Sequence, residues 1–170
     1  KGSITANTTG DGSYIGALCR SAYRTTIQNV MSTMTVINNG TGAAGGLVGY
    51  FGGHNGDGKT PDSFIKNCAV YADVSCVNGT AGGLVGVSWA NTQTWKIENC
   101  IYMGDVDAKY AGAIIGNENT GRQSFLNNIW YCENDNANIF GYEGNLGAIS
   151  KFNVELKTVA EIASIEAVTL

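Results

Sequence analysis

Asp73 and Asp105 each stand directly before a valine, in Tyr71-Ala72-Asp73-Val74 and Met103-Gly104-Asp105-Val106. If the chain repeats, they fall at equivalent places, and two stacked carboxylates have the make-up of a glycosidase pair. The same Asp-Val context beside a turn also describes an aspartate that shapes the turn, and this plainer reading is preferred. A lyase centre would add a Ca²⁺ cluster and a basic abstracting residue. Charged residues are too sparse for that, at 14%. His54 is the only histidine, and one imidazole cannot furnish a catalytic zinc set. Asn55, Asp57 and Asp62 lie near one another, but without the fixed odd spacing and terminal Glu of an EF-hand loop. They read as turn residues. The five cysteines are Cys19, Cys68, Cys76, Cys100 and Cys132, with no CxxC and no thiol-protease signature. Cys68 and Cys100 share a repeat position, so they are either buried reduced thiols or a disulfide between repeats. No catalytic residue, metal site or cofactor is expected.

The elements that would position such groups come from a repeat. Ala44-Gly45-Gly46-Leu47-Val48-Gly49 recurs as Ala81-Gly82-Gly83-Leu84-Val85-Gly86 and, in looser form, as Ala111-Gly112-Ala113-Ile114-Ile115-Gly116. Weaker copies lie at 15–20 and 136–141. A second motif follows each of the first four: Ile27-Gln28-Asn29-Val30, Ile65-Lys66-Asn67-Cys68, Ile97-Glu98-Asn99-Cys100 and Leu126-Asn127-Asn128-Ile129. A period near 30 residues means a solenoid or array. The units are glycine-rich, β-branched and alternating, which favours short strands over helices.

Composition agrees. The chain has 170 residues, 44% apolar, with 24 glycines and one proline. That is enough apolar content for a core and argues against disorder. A net charge of −4 with ten Lys plus Arg spread along the chain argues against nucleic acid. No apolar run is long enough to cross a membrane. The start at Lys1, without a signal peptide, fits an excised or mature fragment better than a natural start.

The expected fold is all-β: a right-handed parallel β-helix of about five coils over residues 1–150. Residues 151–170 then form a C-terminal strand and a short capping helix, or a linker to a following domain. Leu18, Leu47, Leu84, Ile114 and Ile139 would form one inward ladder, and Ile27, Ile65, Ile97 and Leu126 another. Asn29, Asn67, Asn99 and Asn128 would sit buried at a corner, bonded to neighbouring backbone. Thr158 to Glu161 has the capping-box pattern of a short helix.

The Ala-Gly-Gly-Leu-Val-Gly copies at 44–49 and 81–86, with Ile-x-Asn-Cys at 65–68 and 97–100, resemble the GLUG-motif family of bacterial proteins. The resemblance spans about residues 14–141. It implies a structural or adhesive module of a surface adhesin, or an accessory region of an IgA-protease-like metallopeptidase, in either case outside the cell. A carbohydrate-active enzyme is the third reading.

Segment length adds a place for function. The stretches after each Gly-Leu-Val-Gly strand, about 50–63, 87–94 and 117–123, differ most. In a stacked repeat they project from one side, often the binding side. They carry Tyr50, Phe51, His54, Asn55, Trp89, Asn91, Asn117, Asn119 and Arg122, aromatics and amides suited to a glycan or a host surface protein. Other domains of the same polypeptide are further expected partners.

Overall fold

The computed structural model describes residues 2–10, 12–53, 63–90, 94–120, 124–132, 138–143 and 149–169. Within them the chain is all-β apart from one helix, and the strands gather into three parallel sheets of six, seven and five. Sheet A holds β1 (Gly2–Ala6), β2 (Tyr14–Gly16), β6 (Met34–Asn38), β7 (Ala43–Gly45), β11 (Val74–Gly82) and β14 (Val106–Gly112). Sheet B runs in the order β17 (Phe140–Glu143), β15 (Ile115–Thr120), β12 (Val85–Ala90), β8 (Val48–Gly53), β3 (Cys19–Tyr23). Sheet C holds β4 (Thr26–Gln28), β5 (Met31–Ser32), β9 (Ser63–Lys66), β10 (Ala69–Val70), β13 (Trp95–Tyr102), β16 (Ser124–Cys132) and β18 (Ile149–Lys157).

This corrects the expected right-handed β-helix of five coils. The strands are parallel, but they do not form equal turns of one solenoid. In sheet A, β11 spans what elsewhere are two strands, pairing β6 at Val74 and β7 at Thr80. Its pairing with β14 shifts register between Cys76 and Thr80. Sheet C branches, with β4 and β9 off the main path. The physical reason lies between the motifs. Successive motif asparagines still stack although they are 38, 32, 29 and 25 residues apart, so the differences in length are taken up by strands of unequal extent and by the register shift in β11.

Apolar rows hold the sheets together. Leu47, Leu84 and Ile114 are fully buried, and their backbones follow one another, Leu47 N–H to Leu84 O and Leu84 N–H to Ile114 O. Ile27, Ile65, Ile97 and Leu126 pair in register and are buried. Each such side chain contributes roughly 1.5–3 kcal/mol. The expected first ladder is corrected at its start, because Leu18 is 50% exposed. It belongs to the edge repeat, with neighbours on one side only. At the other edge Lys151 takes the register position of Leu126 and lays its ammonium 4.8 Å from the Phe140 ring centroid.

The corner asparagines form a ladder, but not the expected buried one. Asn29, Asn67, Asn99, Asn128 and Asn153 all adopt left-handed backbone, with φ between 52° and 58°. Asparagine tolerates this region better than other side chains with a Cβ. The turn directs the amides outward, so they bond to one another rather than to buried backbone. Asn67, Asn99, Asn128 and Asn153 each donate Nδ2 to the Oδ1 of the preceding member, at 3.3, 3.2, 2.9 and 2.9 Å.

Helix α1 (Val159–Thr169) opens on the expected box. Thr158 N–H donates to Glu161 Oε2 at 2.8 Å, and Glu161 N–H to Thr158 Oγ1 at 3.3 Å. Ile162 is fully buried against Ile101 and Cys132, so α1 packs beside the second half of sheet C. No helix among the described residues is long and apolar enough to cross a membrane.

Candidate functional site

The glycine that ends each Gly-Leu-Val-Gly copy explains the shape of the site. A Cβ on Gly86 would meet Gly49 O at 2.7 Å and Ala44 C at 3.0 Å. A Cβ on Gly116 would meet Ala81 C and Thr80 Cγ2, both at 2.6 Å. Gly49 and Gly141 approach Tyr14 and Tyr110 in the same way. Sheets A and B therefore close on each other along a row of glycines, which only a residue without Cβ allows. The result is a trough with a side-chain row on each wall.

On sheet A the row is Tyr14, Ala43, Thr80, Tyr110, set by strand register. On sheet B it is Ser21, Tyr50, Val87, Asn117, Tyr142. The aromatic members meet across the corner. Tyr14 and Tyr50 have ring centroids 5.0 Å apart, and Tyr110 and Tyr142 meet edge-on at 5.5 Å. Tyr23 adds a third ring 5.2 Å from Tyr50. Next to this row on sheet B, Trp89 pairs in register with Gly52 and Asn119. Tyr23, Trp89, Tyr110 and Tyr142 are exposed. Asn117 Oδ1 is buried without a hydrogen-bond partner among the described residues.

Cations mark both ends. The Arg20 guanidinium lies 5.6 Å from the Tyr14 centroid and donates to Gly12 O at 2.7 Å. Lys109 Nζ lies 5.0 Å from the Tyr110 centroid. Burial pushes the Tyr50 hydroxyl above its ordinary range, with Tyr23 and Tyr14 adding to the effect. Its surroundings therefore favour the neutral form.

The structure divides the residues expected at this site. Trp89, Asn117 and Asn119 lie together on sheet B, two of them exposed. Tyr50 and Phe51 correct the expected exposed patch, because β8 continues through both instead of ending before them. Phe51 is fully buried and packs on Trp95, with centroids 6.4 Å apart. Tyr50 is 5% exposed, covered by Tyr14 and Tyr23. His54, Asn55, Asn91 and Arg122 lie outside the described residues. The strands that precede the three variable segments end side by side, with Trp89 facing Gly52 and Asn119.

Tyr14, Tyr23, Tyr110 and Tyr142 were not expected at the site. The available signal was their place beside the glycine motif, in Tyr14-Ile15-Gly16, Tyr110-Ala111-Gly112 and Gly141-Tyr142. Glu118 was also not foreseen. It is fully buried, in register with Ser88, which is fully buried too.

The carboxylates weighed as a catalytic pair have a turn role. Asp73 and Asp105 are exposed, and Asp73 Oδ1 accepts the Asp105 N–H at 3.0 Å. Among the described residues no group of three or more His, Cys, Asp or Glu gathers to hold a metal. No family model and no curated protein matches the chain.

Proposed function

We propose that the chain is a binding module of a bacterial cell-surface or secreted protein, without catalytic residues of its own, which recognises a glycan along the trough between sheets A and B. The observation that carries this is the gathering of Tyr14, Tyr23, Trp89, Tyr110 and Tyr142 with Asn117 and Asn119 along the meeting of sheets A and B, the first two rings lying over the buried Tyr50. Four of these rings are exposed although the core does not need them. Aromatic faces stack on the C–H surfaces of sugars, while amides bond to their hydroxyls. The resemblance of the repeats to the GLUG-motif family supports a surface or secreted setting.

The test is a glycan and host-protein binding array with the purified chain, repeated with Tyr142→Ala and Trp89→Ala. Each variant should stay folded and lose about 1–3 kcal/mol of binding, as truncated anchor residues do. Ligands that bind both variants as tightly as the parent would move the site elsewhere.

A further inference from the structure

The trough has an order along its length. Across the corner its walls face each other as Tyr14 with Tyr50, Ala43 with Val87, Thr80 with Asn117, and Tyr110 with Tyr142. Rings therefore stand at the two ends, small and polar groups between them, of which Ala43 and Thr80 are buried and Val87 and Asn117 half-buried. The ends are three interstrand steps apart, about 14 Å. Each ring pair has a cation over one of its rings, Arg20 over Tyr14 and Lys109 over Tyr110. The two rows contain no carboxylate.

We propose that the trough takes an extended polysaccharide bearing carboxylate groups, laid across the strands, with one sugar on each tyrosine pair and a carboxylate near Arg20 and near Lys109. This rests on reading the trough as the binding site. A single sugar reaches one ring pair and one cation, so the spacing selects a chain of several units. An acidic peptide fits less well. Peptides that lie along sheets take main-chain bonds from a free strand edge. Here the backbone is committed to parallel neighbours on both sides at β7, β8, β11, β12 and β15, which leaves such an edge only on the end strands.

The test is calorimetric titration of the full chain with polygalacturonate, alginate and hyaluronan. Each is paired with its methyl-esterified form, which keeps the sugar backbone and removes the charge. A polyglutamate peptide serves as the competing anion. At least one acidic polysaccharide should bind, with its ester about tenfold weaker. The double variant Arg20→Gln/Lys109→Gln should bring the acid down to the level of its ester. Tyr110→Ala should weaken both forms. Equal binding of acid and ester overturns the inference and leaves the binding-module reading standing. So does preference for polyglutamate, or capture of a protein alone through Tyr142. Absence of binding to every saccharide and protein probe removes both.

Discussion

Asn128 donates its side-chain amide to Asn99 Oδ1 at 2.9 Å, and both residues hold left-handed backbone at φ 52°. One residue type thus meets two demands at the corner, a positive φ and a side chain that is both donor and acceptor. The demands separate by substitution. Asn99→Gly keeps the backbone freedom and loses two amide bonds, so it should cost about 1 kcal/mol. Asn99→Ala loses the bonds and also carries the left-handed penalty, so it should cost about 1–2 kcal/mol more. Chemical denaturation of the two variants checks the order. Equal stability of both with the parent would mean that the ladder contributes nothing.

Much of this corner was legible, because Ile-x-Asn recurs with the asparagine in one place. Its exposure was not, since spacing fixes which residues stack but not which way a turn directs them. Asn153 escaped notice because its strand reads Lys151-Phe152-Asn153-Val154, with lysine where the other copies have isoleucine or leucine. That lysine ends the row over Phe140. The Gly-Leu-Val-Gly copies announced the buried Leu47, Leu84 and Ile114. They did not announce the trough, which depends on how sheets A and B meet. Nor did they show equal coils to be wrong, because the register shift inside β11 is a tertiary property. Phe51 was misplaced because a glycine-rich segment follows it, although the strand runs on to Gly53.

The trough's floor should resist any side chain. Gly116→Ala sets a methyl 2.6 Å from Ala81 backbone, a contact that can be relieved only by parting the two sheets. Overpacking of this kind costs roughly 1–3 kcal/mol. Gly2→Ala meets only the flexible Met34 side chain at 3.6 Å and should be neutral. Thermal melts of the pair decide it. Matching melting temperatures would show that the sheets do not approach as closely as the glycine row implies.

All five cysteines are free thiols, so denaturation without reductant should release five titratable groups. A count of three would instead reveal a bridge, the alternative open for Cys68 and Cys100. The neighbouring Cys100 thiol draws the Cys68 thiol down to about 7, while burial pushes Cys100 well up. Alkylation of the folded protein at mildly alkaline pH, mapped by mass spectrometry, should therefore mark Cys68 before Cys100. Cys100→Ala removes that neighbour and should slow labelling at Cys68. Labelling of Cys100 first would reverse the assignment.

The cap of α1 gives a pH dependence of definite sign. Bonds from the Thr158 backbone and hydroxyl hold the Glu161 carboxyl below its ordinary value of 4.5, and Lys157 adds a smaller pull in the same direction. A depressed carboxylate contributes stability that is present above the unfolded value and lost as pH falls through the folded one. The helical circular-dichroism signal should thus hold at neutral pH and decline as the pH drops below about 4.5. Glu161→Gln should flatten that decline. Thr158→Ala should lower stability by about 1 kcal/mol even at neutral pH, because the N-cap oxygen itself is gone. Ile162→Ala separates capping from docking: it leaves the cap intact but empties the fully buried contact with Ile101 and Cys132, at a cost of about 2–5 kcal/mol for the helix-to-sheet packing. A helix signal that ignores acid in the parent, or that declines equally in Glu161→Gln, would remove the capping box as the cause.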